Sequence, residues 1–394
     1  MNGVLAALAI VAALSAVSTA VAGAPDIAAG KALFERQWVA APSPTHDDEG
    51  LGPLYDARSC DACHTGTGPG VVAGGIGAGL LVRLGNSTGG ADPVYGAQLQ
   101  TKALPGIAPE AAVAIVWGIH DGRRTASLHI SSLGYGALDS HSYAALRRAP
   151  SLAGAAALAA VGDAEILAGA AREHRAGMAG HAAILTDEGQ TRLGRFGWKA
   201  ANPDLAAQIA VALQRDIGLS SARYPAPWGE CTNAQAACRE LALRSEGAKI
   251  EVPDSLRDEL VAYVASLPAP VAPDERAPGA AIFSHIGCGD CHAALHAPDG
   301  HDIGALTDLL LHDLGPQLDD GIAEGAAKAS EWRTAPLWNL ADELAAGGLL
   351  HDGRARSIAE AVRWHGGEAS PARRRFEALG APERLALERF LLRK

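Results

Sequence analysis

Apolar residues return at helical spacing in four stretches of the chain. Asp26 to Trp38 sets Ile27, Leu33 and Phe34 among small residues, with Asp26 placed to cap the start. Leu256 to Leu267, Glu360 to Trp364 and Ala381 to Leu392 keep the same period, and the last predicts a buried face of Leu385, Leu387, Phe390 and Leu391. Strand signals are few and short. The glycine-rich stretch Gly68 to Gly79 predicts a loop, and no Gly-Lys-Ser/Thr follows it, so a phosphate-binding role is rejected. Pro268 to Pro278 fits neither a helix nor a central strand and predicts a linker. At 394 residues the chain is too long for one ordinary core, so two globular units are expected.

The start of the chain has a different pattern. Residues 1–22 contain no Lys, Arg, Asp or Glu, Val4 to Leu14 is unbroken apolar sequence, and Ala20-Val21-Ala22 is a small-x-small cleavage site. These features predict an export signal cut after Ala22. The alternative is an uncleaved anchor, because Val4 to Ala22 is almost long enough to span a bilayer.

The chain also repeats itself. Gly30-Lys31-Ala32-Leu33-Phe34 returns as Gly279-Ala280-Ala281-Ile282-Phe283, and a Cys-x-x-Cys-His follows each copy. The first copy reaches Cys60-Asp61-Ala62-Cys63-His64 through a Pro-, Gly- and Asp-rich insertion; the second reaches Cys288-Gly289-Asp290-Cys291-His292 directly. Further on, Arg148 to Leu152 is echoed by Arg333 to Leu337. Two thiols one helical turn apart suit the two vinyl groups of one haem, and the adjacent His suits its iron. A thioredoxin-like redox pair would follow a βαβ start, which is absent, and a zinc site would not require the His. The expectation is therefore two covalently bound haems c, held by Cys60, Cys63 and His64 and by Cys288, Cys291 and His292. Covalent attachment requires export, in agreement with the leader. Cys231 and Cys238 lack a following His and are expected to form a disulfide closing a short loop, with a redox-active pair as the alternative.

The expected architecture is mostly α: two cytochrome-c-like haem domains with long inserted loops. Its parts are a signal peptide at 1–22, an N-terminal haem domain at 23–267, a linker at 268–278 and a C-terminal haem domain at 279–394. Aromatics are only 5% of residues, so the core must be largely aliphatic, and a prosthetic group would help fill it. The formal charge of -11 argues against nucleic-acid binding and permits docking to a basic protein. With its leader removed, the protein is expected in the periplasm without stable membrane insertion.

The sixth ligand of each iron decides between electron transfer and chemistry at the metal. The only methionines are Met1 and Met178; the first leaves with the leader, and the second sits in a small-residue stretch that suggests a loop. His351, in Leu-Leu-His-Asp-Gly, and His312, in Leu-Leu-His-Asp-Leu-Gly, follow apolar runs and are the candidate ligands of the second iron, with hydrogen bonding to a neighbouring acid as the alternative role. His365 is a third candidate with a more structural look, and His120, His129 and His141 lie in polar surroundings that suggest surface or loop roles.

These strings resemble the bacterial di-haem oxidoreductase family, relatives of the di-haem cytochrome c peroxidases also called thiol-oxidoreductase-like. The resemblance rests on Gly52 to Ser59, Gly194 to Ala200, Thr307 to Gly315, Glu331 to Trp338, Leu350 to Arg356 and Trp364 to Ala369. It implies that one haem reacts with hydrogen peroxide while the other collects electrons from a small donor protein, a cytochrome c or cupredoxin. A tryptophan commonly lies between the haems of such proteins. Trp198, beside Arg195 and Lys199, is the candidate to carry electrons and stabilise charge at a bound oxidant. Two positions depart from the family pattern. Leu350 stands where peroxidase relatives carry a ligating Met, and Ala159 stands where the family carries a Glu suited to moving a proton. The resemblance leaves a calcium ion between the domains open. The resulting expectation is an exported peroxidase-like oxidoreductase; the alternatives are a non-catalytic di-haem electron carrier and a di-haem enzyme that oxidises a protein side chain.

Overall fold

The structure, a computed structural model, describes residues 24–44, 48–172, 180–245, 250–271 and 273–393. The leader and Met178 lie outside these residues. Helix accounts for 33% of the chain and strand for 19%, spread over several small sheets, so the mostly-α expectation is corrected.

The four expected helices form at Ile27–Glu35, Asp254–Ser266, Ile358–Trp364 and Ala381–Leu392. Asp26 caps the first, accepting from Ala28 N at 2.8 Å. The repeated glycines explain how the helices pair. A Cβ on Gly30 would lie 2.0 Å from Glu259 O, and a Cβ on Gly279 would lie 2.2 Å from Ala386 O. Each glycine thus lets its helix press its backbone against a later one, Ile27–Glu35 on Asp254–Ser266 and Pro278–His285 on Ala381–Leu392. The last helix buries Leu387, Phe390 and Leu391 against this contact, whereas Leu385 points away and is 47% exposed, contrary to expectation.

The strands fill much of the region expected as inserted loops. Leu80–Gly85 lies between Gln98–Leu99 and Tyr143–Arg148 in an antiparallel sheet. Ala112–His120 and Arg123–Ser131 form a long hairpin in the register His120 opposite Arg123. Asp121 and Gly122, with φ of 49° and 70°, supply the left-handed turn that such a two-residue hairpin requires.

Two principal cores result. One gathers Leu33, Phe34, Leu158, Leu260 and Val264 together with Leu309, Leu310 and Trp338. The other gathers Phe283, Ile286, Trp332, Trp364, Leu387 and Phe390, with Trp198 packed against it. Residues from after the linker therefore complete the first core, and Trp198 from before it joins the second. Among the described residues no helix is long and apolar enough to cross a membrane.

Candidate functional site

Ser59 caps the short helix Cys60–Cys63, accepting from Ala62 N at 3.2 Å, and so sets both thiols of the first motif on one turn. His64 follows, and its Nδ1 lies 2.9 Å from Pro150 O. In the second motif, His292 Nδ1 lies 3.1 Å from Leu306 O. A carbonyl at Nδ1 fixes the tautomer with its proton there and leaves Nε2 bare, the form in which imidazole binds a metal. Burial holds both rings near a pKa of about 4, so both are neutral at ordinary pH.

The four motif thiols are unpaired and half-buried. Burial pushes Cys60, Cys63 and Cys288 up to about 12 and raises Cys291. A redox-active Cys-x-x-Cys needs the opposite shift. Cys231 and Cys238, by contrast, are joined, with their Cα atoms 6.3 Å apart. Partly buried apolar side chains line the second motif's core, among them Leu306, Leu314, Leu337 and Leu350. Paired thiols, a His with a bare Nε2 and an apolar lining fit a covalently held haem at each motif.

One short segment connects the two regions. The strand Tyr143–Arg148 ends where Arg148 N donates to His351 O at 2.7 Å, and Arg148 O accepts from Trp198 Nε1 at 2.8 Å. Two residues later, Pro150 O holds His64. The Arg148 side chain is buried and donates from Nε to Gly70 O at 2.6 Å, while its Nη1 pairs with Glu343 at 2.8 Å. In the second copy of this repeat, Leu337 N donates to Ala305 O at 2.8 Å and Thr334 O accepts from Thr307 Oγ1 at 2.6 Å, which brackets the Leu306 carbonyl that holds His292.

The expected distal histidines separate clearly. His312 Nε2 lies 3.0 Å from Asp308 and Nδ1 2.9 Å from Glu368, with Cys291 Sγ 3.7 Å from Nδ1. Burial alone would lower its pKa, but the bonds to Asp308, Cys291 and Glu368 outweigh it and push it up to about 12. Both nitrogens of His312 are thus engaged by carboxylates in this arrangement. His351 is buried and stacks on Trp332 at 3.8 Å and 8°, with Trp198 edge-on at 6.5 Å. Burial, then Arg147, Arg354 and Lys199, holds it well below its ordinary pKa. His365 shares the arrangement of the motif histidines, with Nδ1 2.7 Å from Ala361 O. Burial, the largest cause, lowers the pKa of His365, as it does that of His292. His120, His129 and His141 are exposed.

Arg195 donates to Val161 O at 2.5 Å and pairs with Asp163, tying the end of the Ala155–Ala160 helix to the start of the next one. Ala159 is exposed on that helix. Sequence reasoning named Lys199 only as a neighbour of Trp198, and it missed Asp56 and Asp216. Lys199, fully buried, donates to Asp320 and to the carbonyls of Ile322, Lys328 and Ala329 at 2.8–3.1 Å, and its ammonium sits 4.4 Å from the Trp332 ring centroid. Asp56 and Asp216 share the Gln98 amide, at 3.0 and 2.8 Å, and Asp216 bears electrostatically on both first-motif thiols. The sequence around either acid does not reveal such a pair, because its members are 160 residues apart.

The family description "di-haem oxidoreductase, putative peroxidase" matches residues 131–393, which include the second motif and begin beyond the first. The chain belongs to the di-haem oxidoreductase family, whose members carry haem. No curated protein matches the chain. Among solved structures, a variant of the diheme peroxidase BthA of Burkholderia thailandensis is 16% identical, with 93% of this chain and 86% of that one covered and a TM-score of 0.36. The hydrazine synthase of Kuenenia stuttgartiensis is 17% identical over 43% of this chain, with a TM-score of 0.24; the chain spans 64% of that chain's length. At these scores neither likeness bears on the fold described above.

Proposed function

We propose that this protein is an exported di-haem c-type oxidoreductase that reduces hydrogen peroxide with electrons from a small cytochrome c or cupredoxin. The observation that carries the reading is the duplicated motif, in which each His is pinned through Nδ1 by a backbone carbonyl. Cys60 and Cys63, and Cys288 and Cys291, would hold the haems through thioethers, with His64 and His292 beneath the irons. Bound there, each haem supplies one-electron exchange and an iron able to take an oxygen ligand. The chain orients both proximal histidines, keeps them neutral and sets Trp198 between the Arg148–Pro150 segment and the second core. The first haem would be the one that meets peroxide in this reading. His365, whose anchored Nδ1 leaves Nε2 bare, would be the further histidine offered to the second iron. The disulfide and the uncharged apolar start of the sequence support export.

A pyridine haemochrome assay should find two haems per chain, and the purified protein should consume peroxide when supplied with a reduced small cytochrome. One haem overturns the reading. Two haems without peroxide consumption leave the electron-carrier reading, which is favoured by one observation: Ala159 brings no acid to its helix and Arg195 is engaged elsewhere.

A further inference from the structure

A cavity of about 590 Å³ opens beside the Trp332–His351 stack. None of the motif residues lines it. Its walls are aliphatic on one side, from Leu128, Ala145 and Leu146, and the Tyr143 ring stands at its edge, 53% exposed. Three acids reach it: Asp319, exposed, accepts from Gly321 N at 2.8 Å, and the other two are paired with cations. Asp320 pairs with Arg147 and with Lys199 at 3.1 Å, and Asp352 pairs with Arg354 at 2.5 Å.

His351 is the exception among these polar groups. It is 95% buried by area, being 5% exposed, yet among the described residues neither ring nitrogen has a hydrogen-bond partner. Its interactions are ring contacts with Trp332 and Trp198. A ring edge that no described residue engages, and that reaches the cavity, is completed by whatever occupies it, water or ligand. Burial, and after it the cationic neighbours Arg147, Arg354 and Lys199, holds the ring's pKa well below its ordinary value. A neutral imidazole offers one donor and one acceptor, and an O–H group complements either.

We propose that this cavity binds a small, neutral, flat hydroxyaromatic compound, with its hydroxyl on the His351 ring edge and its ring against the Leu128–Leu146 wall. The volume falls in the range of small-molecule sites, about 300–1,000 Å³. Charge balance around the walls disfavours an anion or a cation. The site is built from the chain alone and does not depend on haem chemistry; it does require that His351 is not an iron ligand.

The probe is 2-naphthol, compared with 2-methoxynaphthalene, which has the same ring and no O–H donor. Calorimetry on the intact haem-loaded protein should show 2-naphthol binding at one site per chain, at least tenfold tighter than the ether. Ala329→Phe, which narrows the cavity without touching His351, should weaken 2-naphthol at least tenfold. His351→Phe keeps an aromatic ring on Trp332 and should bring the two probes to equal affinity. Haem content and the paramagnetic resonance spectrum should be unchanged in both variants. Absence of saturable binding, retention of affinity in Ala329→Phe or retention of the tenfold preference in His351→Phe overturns the proposal. So does loss of the second haem's low-spin signal in His351→Phe, which would place that ring on the iron. Failure of the di-haem reading would instead appear as a wrong haem count in the unaltered protein.

Discussion

The Trp198 indole donates to the carbonyl of Arg148 at 2.8 Å, and this bond joins a side chain of the second core to the segment that holds the first motif's histidine. Pro150, two residues past Arg148, carries the carbonyl at His64, and Arg148 N reaches His351 O. The two proximal regions are thus connected through three consecutive residues and one indole.

Trp198→Phe keeps the ring and removes the N–H. It leaves the Arg148 carbonyl without its partner, at a cost of about 1–3 kcal/mol. Electron equilibration between the haems, followed after flash photolysis of the half-reduced protein, should slow at least tenfold while two haems remain attached. An unchanged rate would show that Trp198 does not link the centres.

The histidines of the second half differ in what their loss should do. His365→Ala should turn the second haem high-spin, read by paramagnetic resonance. His312→Gln should leave that spectrum unchanged but destabilise the fold, because Asp308 and Glu368 would face each other in a buried site without their cation. Removing one partner of a buried ion pair costs about 3–5 kcal/mol. The reverse result, a spectrum that responds to His312 and not to His365, would exchange the two roles.

Much of this site could be read from the sequence, and the reasons are local. A Cys-x-x-Cys-His pentapeptide contains its own geometry, and Gly30 and Gly279 stand in a repeat because each faces a carbonyl at a distance no Cβ allows. The long hairpin also has a signal in the sequence, Asp121-Gly122 following the β-branched stretch Val113 to Ile119. Lys199 left none. Its partners Asp320, Ile322, Lys328 and Ala329 lie more than 120 residues away, and only folding brings four acceptors to one ammonium. The same holds for His312, whose neighbour in sequence, Asp313, is not its partner; Asp308 and Glu368 are.

Asp56 gives the protein a pH dependence of definite sign. Burial raises its pKa to about 7, with bonds from Thr101 and Gln98 opposing and Asp216 adding to the rise. The unfolded value is near 3.9. Between about pH 4 and pH 7 the folded protein therefore holds a proton that the unfolded chain has released. The stability this group contributes is complete below that window and is lost as pH rises through it, by at most about 1.4 kcal/mol per pH unit. Asp56→Asn should flatten this part of the profile in denaturant titrations at stepped pH. An equal slope in the variant would assign the effect to another group.

Ala159 stands where the family resemblance implies a Glu suited to moving a proton. It is exposed on the Ala155–Ala160 helix, which begins within a few residues of Pro150, and its carbonyl is one of two that Arg195 reaches on this helix end. An exposed Glu fits there without displacing a core side chain, so Ala159→Glu should change stability by no more than about 0.5 kcal/mol. A positioned acid contributes about 10²–10⁴-fold to a proton-transfer step. If peroxide reduction is limited by that step, Ala159→Glu should raise steady-state turnover with a reduced cytochrome at least tenfold, while Ala159→Gln, similar in shape but unable to exchange the proton, should not. Equal rates for all three proteins, with two haems present in each, would mean that another group already moves the proton or that turnover is limited elsewhere. A Gln variant as fast as the Glu variant would attribute the gain to side-chain bulk rather than acidity.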